Sequence, residues 1–201
     1  PQPQGQACAP DASAQHPRHA AYLAELTDYR RKTGSPGSLL LIQKPGEPRW
    51  IGAVGKANLE YQTDLRACDP FRVGSITKMF VAVAALKLRE AEQLRLDDRL
   101  GTLLPATMGN IPQADRITVR DLLSHTSGIV DPPNESIRYQ LGIVNDHRAR
   151  FNLTTDQLLA GYVYGKPLHF APGTGWRYSN ANCWLLGKII EQKTRKRLQD
   201  V

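Results

Sequence analysis

At 201 residues, with 41% hydrophobic and 22% charged residues, the chain has an ordinary globular composition, and its 7% aromatics argue against a disordered chain. The net charge of +7 is spread thinly. Its densest run, Lys193-Thr194-Arg195-Lys196-Arg197, follows the apolar helical pattern of Leu185, Leu186, Ile189 and Ile190, where cations suit the negative end of a helix dipole, so no nucleic-acid partner is implied.

The chain opens at Pro1 without a methionine, and PQPQGQACAPDASA reads as part of an unstructured leader over residues 1–18, of the kind found after a cleaved export signal. No stretch approaches the roughly 20 apolar residues that cross a bilayer. Tyr22, Leu23, Leu26 and Tyr29 recur at helical steps over residues 19–32, and Gly34, Pro36 and Gly37 stop that helix. Strands are predicted over 38–43 and 50–57, joined by the turn Lys44-Pro45-Gly46-Glu47-Pro48. Asp69-Pro70 then closes a first region, 19–70, ahead of a second, 71–201.

From Met79 to Leu86 no residue is polar, which predicts a helix buried on nearly all sides. Thr118 and Asp121 form a capping box for a short helix. Residues 131–152 read as loop with short helical pieces, a further helix starts at Thr155, and the last covers 181–196. A lone hairpin is marginal in water, so the sheet is expected to be incomplete in this chain, its remaining strands supplied by a downstream segment or a second chain. Three cysteines without a CxxC pair exclude a zinc cage. Cys183 reads as a small buried hydrophobe, and a Cys8–Cys68 disulfide suits an exported protein.

Two short motifs carry chemistry. In FRVGSITKMF (71–80), Ser75 and Lys78 stand three residues apart at a helix start, which brings hydroxyl and amine within reach. A neutral amine beside a hydroxyl is one way to activate a serine nucleophile. The competing reading makes Ser75 a helix cap and Lys78 a solvated side chain. In Tyr178-Ser179-Asn180, the tyrosine can serve as base and acid, and the asparagine can hold an amide or bridge to Lys78. The competing reading packs Tyr178 in the core and makes Asn180 the cap of the last helix.

Together these motifs resemble the serine β-lactamase and D,D-peptidase superfamily, in its class C-like branch of β-lactamases, D-alanyl-D-alanine carboxypeptidases, D-aminopeptidases and esterases. The resemblance runs from about residue 20 to 199 and rests on FRVGSITK (71–78), ITVRDLLSHTSGI (117–129) and PGTGWRYSNANCWLLGKIIE (172–191). It implies an α/β (α+β) fold, an antiparallel sheet flanked by helices with an all-helical lobe. It also implies acylation of Ser75, proton transfer through Lys78 and Tyr178, and substrate orientation by Asn180. No cofactor or metal is implied, the substrate is a small molecule or peptide, and the location is periplasmic or secreted. The family's third motif, Lys/His-x-Gly on a later strand, has no counterpart here. The isolated chain is therefore expected to be nearly inactive, with half an oxyanion hole.

Three functions follow: hydrolysis of D-alanyl peptides or β-lactams, hydrolysis of esters or amides on the same scaffold, and non-catalytic binding or sensing. His125 invites a Ser-His-Asp reading, but no G-x-S-x-G elbow exists, and the ring is expected to satisfy backbone groups in a turn closed by Gly128. His16 and His19 have metal-like spacing without a third ligand. Asn134-Glu135-Ser136 and Asn152-Leu153-Thr154 are glycosylation sequons.

Overall fold

In the computed structural model, which describes residues 12–145 and 153–201, the chain divides into two units, 1–72 and 73–201. In the first, helix α1 (His19–Thr33) ends where Gly34 takes a left-handed φ of 66°, a conformation glycine adopts without a Cβ penalty. Strands β1 (Gly37–Ile42) and β2 (Trp50–Asn58) pair antiparallel from Gly37 opposite Gly55 to Ile42 opposite Trp50, as the hairpin pattern predicts. A two-residue strand, β3 (Thr63–Asp64), adds to β2 after Gln62 turns the chain at φ 52°. Two polar residues carry no alternation, so nothing in the sequence marked it.

Trp50 is fully buried, with Nε1 donating to His19 Nδ1 (3.2 Å) and its ring 5.4 Å from that of Tyr22. The leader assignment needs correction over 12–18. A 3₁₀ turn covers Ala12–Gln15, Ser13 and His16 are buried, and Ser13 Oγ accepts the Ile51 N–H (2.9 Å). Residues 1–11, including Cys8, lie outside the described residues, as does Asn152. Cys68 takes part in a disulfide and Cys183 is a free thiol.

The second unit is helical: α2 (Thr77–Glu90), α3 (Leu100–Leu103), α4 (Val119–Ser124), α5 (Pro132–Glu135), α6 (Ile137–Asn145), α7 (Thr155–Tyr162) and α8 (Asn180–Thr194). The Thr118–Asp121 capping box forms as read, and a second one, Thr154 with Gln157, starts α7. Helix α8 is the centre of the core: Ala181, Leu185, Ile189 and Ile190 are buried, and α2 and α4 both pack on it. No helix among the described residues is long and apolar enough to cross a membrane.

Helix α2 differs from its expectation. Val81, Ala85 and Leu88 are buried at steps of four and three, but Met79, Phe80 and Val83 are 67%, 70% and 53% exposed. An apolar residue is buried only where a neighbour covers it, and α8 covers one face of α2. The run of apolar residues therefore reported composition without reporting coverage.

Candidate active site

Ser75 stands in a 3₁₀ turn, Gly74–Ile76, that leads directly into α2. Gly74 takes φ 53° there. The serine side chain caps no backbone N–H, which removes the capping alternative. Lys78, in the first turn of α2, donates from Nζ to Ser75 Oγ (3.1 Å).

The second motif arrives at the start of α8. Ser179, not Asn180, is the N-cap: extended backbone lets its Oγ accept the Ala181 N–H (3.2 Å) while donating to the Val130 carbonyl (2.8 Å). That anchor fixes the residues on either side of it. Tyr178 OH lies 2.8 Å from Ser75 Oγ, and Asn180 Oδ1 accepts from Lys78 Nζ (2.7 Å) and, at 3.4 Å, from Tyr178 OH. The Lys78 ammonium nitrogen is also 5.0 Å from the centroid of the Tyr178 ring. Ser75 is exposed, and the other three are half-buried. All four residues singled out in the sequence thus meet, across more than 100 positions of chain.

The arrangement has a chemical direction. If Tyr178 donates to Asn180, its oxygen is free to accept the Ser75 hydroxyl proton, and Lys78 can receive a proton through either partner. Ser75 Oγ is then an exposed hydroxyl with one proton acceptor in Tyr178 and a second in Lys78 when that amine is neutral. Among the described residues no cluster of three His, Cys, Asp or Glu side chains could hold a metal. His16 and His19 are engaged elsewhere, by the Arg18 N–H and by Trp50.

His125 supports this site rather than forming a triad. It ends α4 with a left-handed φ of 60°, and its ring lies 4.7 Å from that of Tyr178. Its Nδ1 accepts from the Ser179 N–H (3.2 Å) and faces the Asn182 amide nitrogen (3.1 Å). A backbone N–H can only donate, so the ring is neutral with its proton on Nε2. The following turn closes at Gly128, φ 78°, where a Cβ would fall 2.3 Å from the Phe170 carbonyl oxygen.

Burial, and then the positive charge of Lys78, hold the His125 pKa below its ordinary 6.5, with Asp131 opposing. The unfolded chain therefore binds this proton more readily than the folded one. The neutral ring contributes fully above pH ~6.5, and that contribution is lost as pH falls from there through the lowered folded value. The urea midpoint should drop as pH falls below ~6.5, and His125→Asn should flatten that slope, since an amide oxygen can replace Nδ1 without titrating. Parallel curves for the two proteins would exclude His125. Glu135 loses its contribution in a lower window: burial pushes its carboxyl up, but hydrogen bonds from His169, the Asp131 N–H and Arg177 together leave it below 4.5.

Cys183 is only partly buried against the core, and burial raises its thiol pKa while Lys78 lowers it. Asp131 was missed in the sequence. It is 2% exposed, and its Oδ1 accepts both the backbone N–H (3.0 Å) and the side-chain Nδ2 (2.9 Å) of Asn180. No local pattern could have linked residues 131 and 180. The only hint is that Asp131 precedes two prolines, a helix-start signal.

Known proteins share this arrangement of chain. Esterase EstB of Burkholderia gladioli is 32% identical over 163 residues, which are 79% of this chain and 41% of the esterase. A D-stereospecific amidohydrolase from a Streptomyces species superposes with a TM-score of 0.77 at 32% identity, covering 90% of this chain and 51% of the other. A penicillin binding protein from Bacillus halodurans does so at 0.69 and 25%, covering 87% and 52%. The chain spans about half the length of these proteins or less. The fold is thus β-lactamase/transpeptidase-like, an antiparallel sheet with a helical unit, and among the described residues that sheet has three strands and is not closed. The Beta-lactamase family model matches residues 20–201, and the chain belongs to that family.

Proposed function

We propose that the protein is a serine hydrolase that forms an acyl-enzyme on Ser75. The observation that carries this is the exposed Ser75 Oγ held between Lys78 Nζ and Tyr178 OH. Oγ attacks the carbonyl carbon, and its proton passes to the Lys78–Tyr178 pair. The same pair then protonates the leaving group, and water releases the acyl group by the reverse route. Asn180 orients Lys78 and the substrate amide. The Ser75 N–H, at the positive end of α2, meets the charge that develops on the carbonyl oxygen.

The first reading of the substrate is a D-alanyl peptide or β-lactam, supported by the likeness to the D-stereospecific amidohydrolase and the penicillin binding protein. The second is a carboxylic ester, favoured by the likeness to EstB. A periplasmic or secreted location suits Cys68's disulfide.

The test is intact-mass analysis of the full-length protein with a penicillin and with a p-nitrophenyl ester, each repeated on Ser75→Ala. One acyl group per chain, located on the Ser75 peptide and absent from the variant, is the expected result. An adduct that survives the substitution removes Ser75 from its role. Binding of either probe with neither adduct nor turnover would assign a sensing function instead.

A further inference from the structure

Asn180 can face Lys78 in two ways, because its amide presents oxygen on one side and nitrogen on the other. The chemistry at Ser75 needs the oxygen there, since an NH₂ group would set donor against donor. Lys78 alone cannot enforce that choice when its charge moves. The second side of the amide is where the choice is made. Nδ2 donates to Asp131 Oδ1 at 2.9 Å, and the same oxygen accepts the Asn180 backbone N–H at 3.0 Å. A flipped amide would place Oδ1 against a buried carboxylate oxygen, acceptor on acceptor, while also turning NH₂ toward Lys78. Both contacts would be lost together, each leaving a half-buried polar group without a partner.

Asp131 is itself immobilised. Its other oxygen accepts from Asn134 Nδ2, and its backbone N–H donates to Glu135 Oε2 at 3.1 Å. Glu135 is tied in turn by Arg177 Nε (2.7 Å) and His169 Nε2 (2.8 Å). At 2% exposure the carboxylate has little water to turn to. One oxygen of this buried carboxylate serves Asn180, whose Oδ1 meets Lys78, and no catalytic step uses it directly. We infer that Asp131 is a positioning residue for the Ser75 site, holding the Asn180 amide so that its oxygen faces Lys78. This rests on the acyl-enzyme reading for its kinetic consequence, but the amide orientation stands independently of it.

The experiment combines two measurements on the full-length protein. In the first, the acylation rate with a p-nitrophenyl ester is compared for wild type, Asp131→Ala, Asp131→Asn, Asn180→Ala and the double Asp131→Ala/Asn180→Ala variant. Asp131→Ala should slow acylation roughly 10- to 100-fold, the size expected when a buried partner is removed. Asp131→Asn keeps an oxygen of the same reach and should recover most of that rate. The double variant should be no slower than Asn180→Ala, because Asp131 acts through Asn180. Unchanged acylation in Asp131→Ala, or losses that multiply in the double variant, would overturn the inference.

The second measurement is the side-chain NH₂ signal of Asn180 in ¹⁵N NMR spectra. It should be shifted and slow to exchange in wild type and in Asp131→Asn, and lose both properties in Asp131→Ala. An NH₂ signal indifferent to Asp131→Ala overturns the inference even if acylation slows. Absence of any acyl adduct in wild type would instead defeat the acyl-enzyme reading, leaving the NMR result to decide the role of Asp131.

Discussion

Replacing Ser75 by alanine or Lys78 by methionine should each lower hydrolysis by roughly 10³- to 10⁶-fold, and the double variant should be no worse than the weaker single one. The reason lies in the shared proton. Ser75 Oγ contacts both Lys78 Nζ at 3.1 Å and Tyr178 OH at 2.8 Å, so on the proposed chemistry nucleophile and acceptor work as one device. A device missing one part loses nothing more when a second is removed. Tyr178→Phe keeps the ring but removes the oxygen, and should fall between wild type and Ser75→Ala. Folding is not the cause in the serine case. Ser75 is exposed and caps no backbone group, so alanine there should change stability by less than about 0.5 kcal/mol. Steady-state kinetics beside urea unfolding curves check both statements. A double variant whose loss is the product of the two single losses would show that Ser75 and Lys78 act separately.

Leu185→Ala should cost about 2–5 kcal/mol, among the largest stability losses available in the chain. Leu185 is fully buried in α8, in the cluster that includes Ile189, Ile190, Val81 and Leu122. Removing three carbons there leaves a void that helices packed from several sides cannot collapse. Against a typical total of roughly 5–15 kcal/mol, that loss threatens the fold itself. Met79→Ala is the comparison. Met79 is 67% exposed, so its truncation should stay within about 0.5 kcal/mol although both residues sit in strongly apolar helices. Urea midpoints followed by circular dichroism measure the two. Equal midpoint shifts would contradict the assignment of the core to one face of α2.

Much of the chain was legible because its signals are local. Gly34 stops α1, Thr118 and Asp121 box α4, and the apolar run over 38–43 and the segment 50–57 either side of the Pro-Gly turn become β1 and β2 within a residue or two. The spacing of Ser75 and Lys78 was legible for the same reason, since three residues bring two side chains together in either kind of helix. What could not be read depends on distant parts of the chain. The sequence of α2 is apolar all round, yet coverage by α8 decides that Val81 is buried and Met79 is not. Ser179 rather than Asn180 became the cap because the Val130 carbonyl anchors its hydroxyl, and Asp131 found Asn180 across 49 positions. Such pairings have no period to detect.

The 14 residues of α2 make a rod about 21 Å long, with Ser75 just before one end and Leu88, wedged into the core, near the other. A rod held at its far end is a lever. Tilting it by about 3° there displaces the near end by roughly 1 Å, and a misplacement of that size at a reacting atom costs about 10²-fold in rate. On the proposed chemistry, aim is therefore set as much by the seam between α2 and α8 as by the four side chains that do the work. A hydrophobic substitution at Leu88, ten positions from Lys78, reaches the nucleophile as an angle.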